Sequence, residues 1–182
     1  MNNLEFMFRW THVFMGIIWL GHLYFFNFVN APVQGLLDDA GKKAVNPKLM
    51  PRALWWFRWG AMVTFLSGLI MFAQIFFYTP GAGFGANMLL KGVEGGLSDR
   101  ARWIMWGMTF GSIMWFNVWF IIWPAQKKLL SGQVSGDAAV PVRARAALTS
   151  RINTYLSAPM LVGMLGANHA NMEFSYGAML IA

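Results

Sequence analysis

Apolar positions along this chain run together in four long blocks, roughly 8–30, 53–78, 102–123 and 148–170, separated by hydrophilic connections. Blocks of about 18 apolar residues or more are long enough to cross a bilayer as helices. The pattern therefore predicts an all-α integral membrane bundle of about four transmembrane helices, forming a single domain over residues 1–182. Boundary residues fit this division. "NAPVQG", with Pro32 and Gly35, reads as the stop of the first span, and Pro47 and Pro51 precede the second. "YTPGAGFG" ends the second span and "WPAQKK" the third. Trp55, Trp56 and Trp59 at one level, and Trp103 and Trp106 at the other, suit the aromatic belts of the two interfaces. Residues 83–99 and 131–145 read as surface connections. The tail "NMEFSYGAMLIA" either extends the fourth span or forms a short C-terminal helix along the interface.

Composition strengthens the membrane reading. Of 182 residues 57% are hydrophobic and 12% charged, about half the charged share of a soluble domain. The first block continues into "YFFNFVNAP" without a small-residue cleavage site, so it is expected to remain as a span. Cysteine is absent, which excludes disulfides, thiolate zinc sites, iron–sulfur clusters and covalent c-type haem within these residues.

The formal charge of +7 does not point to nucleic acid, because the basic residues are spread through the connections rather than gathered in one patch. Lys42, Lys43, Lys48 and Arg52 in the first connection, with Lys127, Lys128, Arg143, Arg145 and Arg151 in the third, put nine on one side. Arg9, Lys91, Arg100 and Arg102 put four on the other. The positive-inside rule then makes the first and third connections cytoplasmic and places both termini outside.

Depth gives the histidines meaning. His12 lies a few residues into the first span. His169 comes 17 residues after Ile152, ~25 Å into a hydrocarbon core of ~30 Å. In antiparallel spans both reach the same outer level, where two neutral imidazoles on different helices could ligate the iron of a b-type haem. Gly16, four residues after His12, and Gly166, three before His169, leave room for a flat macrocycle. Arg9, one turn outward from His12, could pair with a haem propionate. The competing reading is structural: an interfacial histidine can hydrogen-bond a backbone carbonyl, and small residues are common where membrane helices pack.

His22 lies ~15 Å beyond His12 along the helix and cannot ligate the same iron. A hydrogen bond to Asn117 or to a backbone carbonyl is its expected role, with a proton-relay or quinone-binding role as the functional alternative. Arg58, six residues into the second span, either snorkels to the cytoplasmic interface or faces the bundle to bind an anion. Gly107 and Gly111 make a small-residue face for close packing on the third span. The 14 methionines are scattered as apolar filler rather than gathered as copper ligands, although Met172 is spaced i,i+3 from His169. Glu173 is expected one turn beyond His169. No nucleophile–His–acid set, phosphate loop or carboxylate pair within a span is found.

The stretches "RWTHVFMGIIWLGHLYFFNFVNAP", "PRALWWFRWGAMVTFLSGL" and "RINTYLSAPMLVGMLGANHAN" resemble the membrane domain of bacterial membrane-bound urate hydroxylases, the urate oxidase N-terminal domain family. "PRALWWFRWGAM" is the most specific of these pieces. The resemblance implies histidine at the positions of His12 and His169, and an apolar residue where this chain has His22. It also implies the inner membrane of a bacterium, where the outer side that the basic residues assign to both termini is the periplasm. Full-length members resemble a longer membrane domain followed by a cytochrome c domain. These residues carry about four spans and no Cys-x-x-Cys-His site, so what is implied is a haem b or redox scaffold, with urate hydroxylase-like oxidoreductase chemistry only through a separate partner. Such a partner would be a cytochrome c-type protein or other membrane subunits. The alternative is a non-catalytic accessory subunit with structural histidines, its aromatic helices binding partner helices and lipid bilayer.

Overall fold

The computed structural model describes residues 3–79, 83–85, 97–170 and 174. It is an all-α four-helix bundle running up, down, up and down. Helix α1 spans Asn3–Leu36, α2 spans Asp39–Phe77 and α3 spans Asp99–Leu130, and these three are long and apolar enough to cross a membrane. Helix α4, Ala139–His169, is 31 residues long. A two-residue pair, β1 (Tyr78–Thr79) and β2 (Gly83–Phe84), joins antiparallel after α2. The protein is thus a multi-pass membrane protein; the predicted spans 8–30 and 102–123 fall within α1 and α3, and those over 53–78 and 148–170 run one residue past the ends of α2 and α4. The expected interfacial helix of the tail, Met172 and Glu173 lie outside the described residues.

Three boundary expectations, all resting on prolines, are corrected. Pro32 does not itself stop α1, which ends at Leu36 just after Gly35 as "NAPVQG" suggested, and Pro124 does not stop α3, which continues to Leu130. The reason is local. A π-helical stretch, Phe25–Asn30 in α1 and Asn117–Ile122 in α3, ends just before each proline. The residue preceding the proline bonds five positions back, Ala31 N–H to the Phe26 carbonyl and Trp123 N–H to the Val118 carbonyl. The widened turn accommodates the ring and the missing donor without breaking the helix. Likewise Pro47 and Pro51 do not precede the second helix but lie inside it. That helix starts at Asp39, where the Asp38 carboxylate caps the Gly41 N–H at 2.7 Å. At ~58 Å for 39 residues, α2 outruns a ~30 Å hydrocarbon core, so its first turns, with Lys42, Lys43, Lys48 and Arg52, project beyond it.

Packing proceeds by hairpins. In α1–α2, Gly60 brings the helices close: a Cβ there would stand 3.1 Å from the Trp19 backbone nitrogen. In α3–α4 the approach is closer still, since a Cβ on Gly163 would lie 2.5 Å from the Gly107 nitrogen. Lipid tails are as apolar as leucine, so such backbone approach and buried polar contacts hold membrane helices together. The hairpins meet across Phe65 and Trp115, stacked at 4.2 Å, and over a core of Trp19, Leu23, Phe57, Met114, Val118 and Met160.

Polar contacts tie α3 to α4 within one hairpin and α1 to α4 across the two. Asn117 donates to Asn153 Oδ1 at 2.7 Å, and Asn153 donates to the Met114 carbonyl at 3.0 Å. Tyr24 and Ser157 share a hydrogen bond of 2.8 Å, and Asn27 donates to Ser150 Oγ at 2.8 Å. Asn153 and Ser157 are buried. These inward polar residues, with Arg143, Arg145 and Arg151 on its first half, leave α4 less apolar than the other three helices. Asn153 and Ser157 serve the bundle interior, while the three arginines are exposed.

Candidate functional site

The bundle has two chemically distinct ends. Residues that start α1 and α3 and finish α2 and α4 form the histidine end; the opposite, basic end carries Lys42, Lys43, Lys127 and Lys128. Two cross-links between α1 and α4 fix their register. Tyr24 meets Ser157, and both His12 and His169 lie twelve residues, ~18 Å, from that contact toward the histidine end. Asn27 meets Ser150, from which the histidines lie 15 and 19 residues away. The two imidazoles thus share a level to within about one helical turn. They sit on different hairpins, His12 partly buried against α2 and His169 exposed as the last residue of α4.

His12 is held by α2. Its Nδ1 lies 2.8 Å from the Thr64 carbonyl oxygen, which can only accept, so Nδ1 carries the proton and donates. Gly68 makes this possible: a Cβ there would stand 2.9 Å from His12 Cε1 and 3.2 Å from Nδ1. Ser67 Oγ lies 3.4 Å from the same nitrogen and donates to the Val63 carbonyl at 2.6 Å. In the neutral ring the remaining nitrogen, Nε2, keeps its lone pair. A carbonyl on one nitrogen is the usual arrangement for a histidine that offers the other to a metal. Gly16, one turn along, faces Thr64, with 3.8 Å from a would-be Cβ to Thr64 Cγ2.

The other predicted site residues are placed less simply. Arg9 donates through Nε and Nη2 to Glu5 Oε1, at 3.0 and 2.7 Å, an i,i+4 pair one turn outward from His12. Gly166 faces Trp103 of α3, where a Cβ would stand 2.5 Å from the indole Cε3. Its missing side chain admits an aromatic ring of the protein itself. Arg100 donates to Asn168 Oδ1 at 3.1 Å beside His169. Among the described residues no three His, Asp or Glu side chains gather as metal ligands.

His22 takes the local bond expected of it, with Nδ1 2.8 Å from the Ile18 carbonyl, while Asn117 is committed to Asn153. Arg58 packs among three tryptophan rings on the side of the basic end. Its guanidinium lies 3.9 Å from the Trp123 ring centre, 5.3 Å from Trp119 and 5.6 Å from Trp59. Tryptophan faces attract a desolvated cation, which is how the bundle accommodates a charge whose Nε is buried without a hydrogen bond. Thr64, Ser67 and Gly68 were missed from sequence. The one signal they gave was a short run of small and polar residues, "TFLSG", inside an otherwise bulky apolar span.

A family model described as urate oxidase N-terminal matches residues 34–90 and 85–181, which include α2, α3 and α4 with His169. Residues 1–33, with His12 and His22, precede the matched part. No curated protein and no solved structure matches the chain.

Proposed function

Because the chain belongs to the urate oxidase N-terminal family, we propose that it is a membrane-embedded redox protein holding one b-type haem between His12 and His169. The observation that carries this reading is the hydrogen bond from His12 Nδ1 to the Thr64 carbonyl, which leaves Nε2 as the ring's acceptor on a helix cross-linked to that of His169. His12 and His169 would hold the iron, and the haem would supply reversible one-electron transfer. Thr64 and Gly68 fix the His12 ring. Glu5 occupies two nitrogens of Arg9, leaving Nη1 as the donor toward a propionate at the surface. Family membership suggests the bacterial inner membrane, and there the positive-inside asymmetry favours an orientation with the histidine end and both termini periplasmic. There the haem would exchange electrons with a cytochrome c-type partner or another membrane subunit.

A second reading is favoured by Gly166, whose open side is filled by Trp103. In that reading the chain is an accessory subunit and its histidines are structural. The two readings separate on the haem content of purified variants produced with ample haem. The redox reading expects His12→Ala and His169→Ala each to lose the bound haem while His22→Leu keeps it. Retention by both alanine variants, or loss from His22→Leu alone, would assign the ligands elsewhere.

A further inference from the structure

A lateral groove of about 950 Å³ opens between α1 and α2, and neither candidate haem ligand lines it. Ile17, Gly21, His22, Lys48, Arg52 and Trp56 are among its walls. Gly21 faces the open space, since nothing lies within 4 Å of a Cβ built there. Lys48 and Arg52 are its only charged residues, and among the described residues neither forms an ion pair. Two like charges one turn apart on α2 raise the local positive potential with no acid to offset it.

Position along the bundle decides what fits. Gln34 pairs with Asn46 and Phe26 packs on Phe57, so α2 runs antiparallel to α1. Lys48 and Arg52 therefore lie at the rim toward the basic end, while Ile17, Gly21 and Trp56 lie deeper. Cationic rim over apolar floor is the polarity gradient of an anionic amphiphile in a bilayer. A quinone fits less well. His22 commits Nδ1 to the Ile18 carbonyl, so its neutral ring offers Nε2 only as an acceptor and cannot donate to a quinone carbonyl.

We propose that this groove is a binding site for an anionic phospholipid, with the phosphate on Lys48 and Arg52 and an acyl chain over Gly21 against Ile17 and Trp56. The site is independent of the haem reading. The test is native mass spectrometry of the protein taken from bilayers of equimolar phosphatidylglycerol and phosphatidylcholine. The native chain should retain phosphatidylglycerol preferentially. Removing both charges in K48Q/R52Q should lower that retention by about twenty-fivefold, roughly fivefold per cation. Gly21→Leu should displace the lipid with both cations intact, and K127Q/K128Q should behave as native. Both cations of the site are exposed, so tryptophan fluorescence should show K48Q/R52Q folded. Equal retention of the two lipids by the native chain would overturn the proposal. So would unchanged retention in K48Q/R52Q, an equal loss in K127Q/K128Q, or displacement of the lipid by inorganic phosphate.

Discussion

Gly68 and Gly16 face the α1–α2 interface from opposite sides, and an added methyl should affect them differently. At Gly68 the new Cβ would stand 2.9 Å from His12 Cε1 and 3.2 Å from Nδ1; at Gly16 it would meet only Thr64 Cγ2 at 3.8 Å. To relieve the first contact the imidazole must retreat by ~0.5–1 Å, which stretches the 2.8 Å bond to the Thr64 carbonyl toward the ~3.5 Å limit. An orphaned Nδ1–H in a low-dielectric site costs ~1–3 kcal/mol. Both substitutions gain the same helix propensity, ~1 kcal/mol from glycine to alanine, so that term cancels between them. Gly68→Ala should therefore be ~1–3 kcal/mol less stable than Gly16→Ala in SDS titrations of the bilayer-extracted protein. Where haem is bound, loosening a residue that orients its ligand should weaken affinity by ~10–100-fold. Equal stabilities and equal haem content in the two variants would refute the assignment of Gly68 and Thr64 as the positioning pair for His12.

Gly163→Ala should separate α3 from α4 and cost ~2–3 kcal/mol or more, because its Cβ would meet the backbone of Gly107, which cannot turn aside as a side chain can; the same SDS titration measures it. Asn153→Leu should cost ~1–3 kcal/mol by leaving Asn117 unpaired, and the double change N117L/N153L should recover most of that loss in a double-mutant cycle. Cysteines introduced at Lys42 or Lys127 should resist an impermeant thiol reagent added outside intact cells, whereas one introduced at Asn3 should react. The reverse labelling pattern would invert the orientation.

The bundle was legible in the sequence because hydrophobic block length is a strong signal in a membrane protein, where backbone groups must be satisfied within each helix. Helix ends were less legible. Pro32 and Pro124 read as stops, but π-helical turns absorbed them, and nothing in the local composition marks a widened turn. Pro47 and Pro51 read as a boundary because proline rarely sits inside a helix, yet α2 runs through both. His12 and His169 could be placed at one level by counting residues, since rise per residue is fixed. Their partners could not be counted. Thr64 contributes a backbone carbonyl, which every residue has, and Gly68 contributes the absence of a side chain. Gly166 shows the converse, since a glycine read as room for a cofactor makes room for Trp103 of a neighbouring helix. The cage around Arg58 depends on α3 reaching α2 with Trp119 and Trp123, a tertiary meeting that spacing within one helix does not encode.

In the proposed function His12 and His169 would together hold the iron of one haem. The most direct measurement is a reduced-minus-oxidised absorption spectrum of the purified native chain after reconstitution with haem, with haem and protein quantified on the same sample. Low-spin b-type bands at one haem per chain are expected, lost in either His12→Ala or His169→Ala. A native chain that takes up no haem, or b-type bands that persist in both alanine variants, would contradict that assignment.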